Sequence, residues 1–135
     1  MTARPPVAAL TLDLLEAPLA IVRLGADDAI PAWTSAARSF LTISRTPAEL
    51  SIVADAAAVP APLRPERRHR AFRVRGPLPL DLVGVFAVVT APLAAAGIPI
   101  FPIATFDTDY VRVEETDVPR ARDALRRAGH TVAAP

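Results

Sequence analysis

The chain has 135 residues, 52% of them apolar, with no cysteine and 15 basic against 14 acidic side chains. That length supports one ordinary domain or two small ones sharing a core, because independent cores below about 60 residues are marginal. Balanced charge leaves no global field to gather nucleic acid or anionic membrane, and the lack of cysteine removes disulfide frameworks, thiolate metal sites and cysteine nucleophiles.

The opening MTARPPVAALTLDLLEAPLA has an early Arg4, but Asp13 and Glu16 interrupt any long apolar run, so no secretory leader is expected. Strand-like runs follow near Val7 to Leu15, Leu19 to Leu24, Phe40 to Ser44 and Leu50 to Ala54. In the third, Leu41 and Ile43 alternate with Phe40, Thr42 and Ser44, as a sheet packed on one face requires. Pro31 to Ala37 reads as a turn or short helix with Trp33 as its apolar anchor. Pro60, Pro62 and Pro65 then favour an extended connector. These signals divide the chain into a β-rich half at 1–62, a Pro/Arg-rich connector at 63–69, and a second half at 70–135.

In the second half, Arg70 to Arg75 predicts a strand ending at Gly76-Pro77. Asp81 is the expected N-cap of a buried helix over Leu82 to Ala96, with Gly97 at C′ and Pro92 either kinking or shortening it. Ile98 to Ala104 reads as a strand apolar on both faces, and Tyr110 to Glu114 as its antiparallel neighbour across the Asp107 to Asp109 turn. Asp117 is expected to cap a final helix with Val118, Ala121, Leu125 and Ala128 on one stripe, stopped by Gly129, before a last short strand from His130 to Ala133. The fold class is therefore α+β, with a second half of order βαββαβ, the split βαβ of ferredoxin-like kind. The 25 uncharged residues from Leu82 to Phe106 are long enough to cross a bilayer, but Gly84, Pro92, Gly97, Pro99 and Pro102 break that run repeatedly, so no membrane span is expected.

The segment Arg73 to His130, RVRGPLPLDLVGVFAVVTAPLAAAGIPIFPIATFDTDYVRVEETDVPRARDALRRAGH, resembles the ACT domain. It is closest in pattern to the branch that includes the arginine-sensing CASTOR proteins and small bacterial proteins of tandem ACT-like halves. FLTISRTPAELSIVAD, Phe40 to Asp55, is similar to the shorter unit that precedes it in that branch. The resemblance implies a non-catalytic regulatory protein that binds an amino acid, holding its carboxylate and amine between the loop entering the first helix and the end of the next strand. Carried over by position, those groups are Gly84, Val85, Thr105, Phe106 and Asp109. It also implies a homodimer paired through sheets or helices, and a regulated enzyme as partner. Where the arginine sensors have an acidic residue two positions before the glycine, this chain has Leu82, which removes a guanidinium partner.

The residues read alone point the same way. Amides in a helix's first turn lack intrahelical acceptors and the dipole there favours an anion, so the Leu82 to Val85 turn suits a carboxylate. Asp109 can pair with the ammonium. No histidine or third acid is spaced for a metal with Asp107 and Asp109, so neither a metal nor a cofactor is expected, and no catalytic residue is assigned. An enzyme reading would draw on Asp107, Asp109, His69 and His130. Two alternatives stand: a nucleic-acid module using Arg64 to Arg75, or a non-catalytic subunit of an amino-acid metabolic enzyme. The plainer account of that basic run is a solvated connector and edge strand. The expected location is the cytoplasm.

Overall fold

The computed structural model describes residues 7–135, and these fall into two compact units, one of the chain up to Glu16 together with Arg70–Pro135, the other Ala17–His69.

The smaller unit is an antiparallel sheet of β2 (Leu19–Leu24), β3 (Leu41–Arg45) and β4 (Leu50–Asp55), with β4 central. Ala20, Val22, Leu50, Ile52, Ala54 and Val59 form its core, and Trp33, on a short 3₁₀ turn at Ala32–Ala36, packs on it as its sequence context predicts. The proline-rich segment is not extended: Ala61–Leu63 winds into a 3₁₀ turn closed by Leu63 N–H to Pro60 O at 2.9 Å. Proline's fixed φ serves such a turn as well as an extended chain. Asp55 organises the approach to β3. Its carboxylate accepts the backbone amides of Arg38 at 3.0 Å, Ser39 at 2.9 Å and Phe40 at 2.8 Å. Burial works to raise the Asp55 carboxyl, and these three amides together with the Ser39 hydroxyl outweigh it and hold it below its ordinary value.

The larger unit contains β1 (Thr11–Leu14), β5 (His69–Val74), α1 (Val85–Ala95), β6 (Phe101–Ala104), β7 (Asp109–Glu114), α2 (Val118–Arg127) and β8 (Thr131–Ala133). Its strands run β6-β7-β5-β1-β8. The second half thus has the expected βαββαβ order, and β1 from the far end of the sequence is inserted into it. Leu12 pairs with Val74 of β5, antiparallel, and with Val132 of β8, parallel. The 1–62 boundary expected from the prolines therefore does not coincide with the compact units, because β1 completes the larger sheet. Non-local pairing of this kind leaves no local mark. Asp13 strengthens it: its carboxylate takes Arg75 at 2.5 Å and Arg73 at 3.2 Å, and Arg75, then Arg73, hold it below the usual carboxylate range against the opposing effect of burial.

The core lies between this sheet and the two helices, where Leu12, Phe72, Val74, Val89, Leu93, Val111, Val113 and Leu125 are fully buried. Each such side chain contributes about 1.5–3 kcal/mol. In α2 the buried stripe is Val118, Ala121, Ala124 and Leu125, while Ala128 lies outside the helix and is exposed. Asp117 stands at the N-cap position, but its side chain accepts Arg120 at 2.8 Å and no backbone amide.

The expected start of α1 changes. Asp81 does not cap α1; the helix starts three residues later, at Gly84, whose φ of 86° is open to glycine and costly for other residues. And β6, though apolar on both faces as expected, is not buried. It pairs with β7 alone, and Phe101, Pro102 and Ala104 are exposed. The Thr105 N–H to Thr108 O bond at 2.9 Å sets the alternation, so Phe101 and Ile103 bond inward to β7 and Pro102 faces outward, where a missing donor costs nothing. Across the pair, the Phe101 ring lies 5.1 Å from the Arg112 guanidinium, which burial lowers to about 10.

Pro92 stays inside α1 and leaves the Val88 carbonyl without its i+4 amide. His130 fills that place, with Nε2 2.9 Å from Val88 O, while Nδ1 accepts the Leu10 amide at 3.1 Å. One imidazole, donating from Nε2, therefore ties α1, β8 and the lead into β1 together. His130→Ala is expected to cost about 1–3 kcal/mol in urea unfolding. Pro92→Ala restores an amide to Val88, so the histidine change should cost at least about 0.5 kcal/mol less in that background; equal costs would show that the carbonyl is not the shared partner. Asp55→Ala should cost about 1–2 kcal/mol, discounted for the exposure of its loop. Since the folded carboxyl titrates below 3.8, its contribution is complete above that value and is lost as pH falls through the folded one, so wild type and variant converge in strong acid.

Candidate functional site

The approach to α1 and the turn between β6 and β7 face each other. From β5 the chain passes Gly76 and Pro77, folds through a turn closed by Leu82 N–H to Pro79 O at 3.1 Å, and reaches Gly84. The first amide bonded within α1 is that of Val88, to Gly84 O at 3.1 Å. The amides of Val85, Phe86 and Ala87 precede it and receive no side-chain cap, because Gly84 has none to offer. Val7 N–H reaches Val83 O at 3.1 Å and anchors the same loop from the β1 side.

The facing turn is pinned twice. Thr108, 8% exposed, donates its hydroxyl to Val74 O at 2.5 Å, and Leu78 N–H donates to Asp107 O at 2.7 Å. Thr105 closes the turn, its amide and hydroxyl both donating to Thr108 O at 2.9 Å. A cavity of about 190 Å³ lies between turn and loop, lined on one side by Leu78, Pro79, Leu80, Leu82 and Val85 and on the other by residues 104–109.

Four of the five residues singled out in the sequence therefore line one cavity: Val85, Thr105, Phe106 and Asp109. Gly84 is not in the lining; it sets where the uncapped turn begins. Asp109, at the start of β7, has no hydrogen-bond or ion-pair partner among the described residues, and burial alone raises its carboxyl above the ordinary value. Thr105 is engaged in building the turn. Sequence reasoning missed Leu78, Leu80 and Thr108. A polar residue between two aspartates reads as turn chemistry, and nothing local marks Thr108 as the group that bolts the turn to β5.

The other candidate chemistries are absorbed by the fold. Arg70 donates to Leu15 O at 2.9 and 2.7 Å, Arg64 to Val59 O at 2.7 Å, Arg73 and Arg75 to Asp13, and Arg67 and Arg68 are also engaged. A run whose guanidiniums serve the protein's own carbonyls and carboxylates does not favour a nucleic-acid groove. Both nitrogens of His130 face backbone groups. Among the described residues there is no cluster of three or more metal-ligating side chains, and no helix is long and apolar enough to cross a membrane.

Residues 64–127 match the family model of the ACT domain, and residues 18–62 match a second model, of an N-terminal domain. A solved protein of Agrobacterium tumefaciens is 34% identical, with 98% of this chain and 96% of that one covered and a TM-score of 0.84. Residues 64–127 belong to the ACT domain family. Two more distant structures speak to fold alone. A Vibrio cholerae protein is 21% identical over 88% of this chain and 89% of its own, TM-score 0.71, and the aspartate kinase of Clostridium acetobutylicum is 11% identical over 82% of this chain and 32% of its own, TM-score 0.55. No curated protein sequence matches. ACT domains commonly serve ligand-binding regulatory roles, and in this chain the α1 loop and the β6–β7 turn border the open cavity described above.

Thr108→Val keeps the shape of the side chain and deletes its hydroxyl, removing its bond to the Val74 carbonyl. It should cost about 1–3 kcal/mol in chemical denaturation, and Thr108→Ser, which retains the donor, should recover most of it. Equal losses in the two variants would show that packing, not the bond, holds the turn.

Proposed function

We propose that this ACT protein is a non-catalytic, cytoplasmic sensor whose ligand is an amino acid, bound in the cavity between the start of α1 and the β6–β7 turn. One observation carries the reading: an uncapped helix start and an unpartnered carboxylate border the same small cavity. The Val85 amide and its neighbours donate to the ligand's carboxylate, where the helix dipole adds to the hydrogen bonds. Asp109 takes the ammonium. Desolvating both ends of a zwitterion is favourable when each meets its counterpart, so an analogue lacking either charge binds poorly.

The aspartate kinase that shares this fold is an allosteric enzyme for industrial amino-acid production. The protein's partner on this reading is an enzyme it regulates, and it works as a homodimer. In support, α1 carries Thr90 as its one polar side chain and exposes Ala87, Ala91, Ala94 and Ala95, a face without charge. Occupancy then alters assembly geometry and so couples to activity elsewhere.

Thermal shift against the twenty amino acids tests this, because a ligand at 100 times its dissociation constant adds about 2.7 kcal/mol. One or a few should raise the melting temperature, and Asp109→Ala should abolish the effect while the variant stays folded. The ammonium needs Asp109 ionised, and burial raises that carboxyl above 3.8, so affinity should be level near neutrality and fall on acidification with a midpoint above the usual carboxylate range. A flat panel with a folded protein overturns the proposal.

A further inference from the structure

The cavity walls say more about the ligand than its two charged ends do. Apart from Asp107 and Asp109 and the hydroxyls that build the turn, the lining is Leu78, Pro79, Leu80, Leu82, Val85, Ala104 and Phe106. Leu80 is 73% exposed and Phe106 79% exposed, one on each side of the opening. Large apolar side chains standing in water at the mouth of a polar-ended cavity are groups that a bound molecule covers. A volume of about 190 Å³ lies below the usual range for drug-sized ligands and fits a small one.

Charge narrows the class further. An acidic side chain on the ligand would meet Asp107 and Asp109 together. A cationic one would leave water along walls of leucine, proline and phenylalanine, with only exposed Asp107 to pair with. Asp107 also borders the adjoining cavity of Arg73 and Arg75, which a second cation would face. We infer that the ligand is an amino acid with an aliphatic side chain, held by its α-carboxylate and α-ammonium at the Val85 and Asp109 ends and selected by contact of that side chain with Leu80 and Phe106.

This rests on the amino-acid reading above and adds the class of side chain. Calorimetric titration at pH 7 with leucine, isoleucine, valine and methionine, set beside lysine, arginine and glutamate, separates the two. At least one aliphatic amino acid should bind tenfold or more tightly than any charged one. Leu80→Ser and Phe106→Ser, both at exposed positions that the fold does not need, should each weaken it by about tenfold without lowering the melting temperature of the free protein. A charged amino acid that binds most tightly, with Asp109→Ala abolishing its binding, would leave the sensor standing and overturn the aliphatic class. Aliphatic binding indifferent to both serine variants would overturn the selecting role of Leu80 and Phe106. Binding of none of the seven would overturn this inference, and a flat response across all twenty amino acids would overturn the sensor as well.

Discussion

The site depends on how one turn is held. The β6–β7 turn is joined to β5 by the Thr108 hydroxyl on the Val74 carbonyl, and to the α1 approach by the Leu78 amide on the Asp107 carbonyl. These two bonds fix the distance across which Val85 and Asp109 share a cavity. Both use residues of the cavity wall and neither uses the α1 amides or the Asp109 carboxylate, so those groups stay unengaged. Preorganisation of this kind keeps down the ordering cost of binding.

The same economy of polar groups recurs elsewhere. Pro92 opens a gap in the α1 ladder and His130, the residue just before β8, fills it, so the helix that carries the site is tied to the far edge of its own sheet. The guanidiniums of Arg64, Arg70, Arg73 and Arg75 are used on carbonyls and on Asp13, which turns an apparently nucleic-acid-like sequence into internal bracing. Asp109 is the contrast, a partly buried carboxylate left without a partner among the described residues, and its raised titration follows from that.

Gly84 shows how narrowly helix starts are read from sequence. Asp81 has the right chemistry for a cap, yet the chain turns once more before α1 begins, and a left-handed glycine takes the place. A side-chain cap would have satisfied the amides that the cavity leaves available. That β6 is apolar on both faces yet not buried has a related reason: apolar composition does not say which strand lies at the edge, whereas the outward-facing Pro102 is what an edge tolerates.

Local pattern alone determined the βαββαβ order, the strand at Leu19–Leu24, the glycine stop after α1 and the placing of Trp33 on the small core, because alternation, helical period and turn residues act over a few positions. Tertiary structure decided the rest. Insertion of β1 between β5 and β8, the bolting of the turn by Thr108, the bridge from His130 to Val88, and the facing of Leu80 and Phe106 across one opening all join residues far apart in the chain. Such contacts form only when separate elements are brought together, and no periodicity within either partner encodes them.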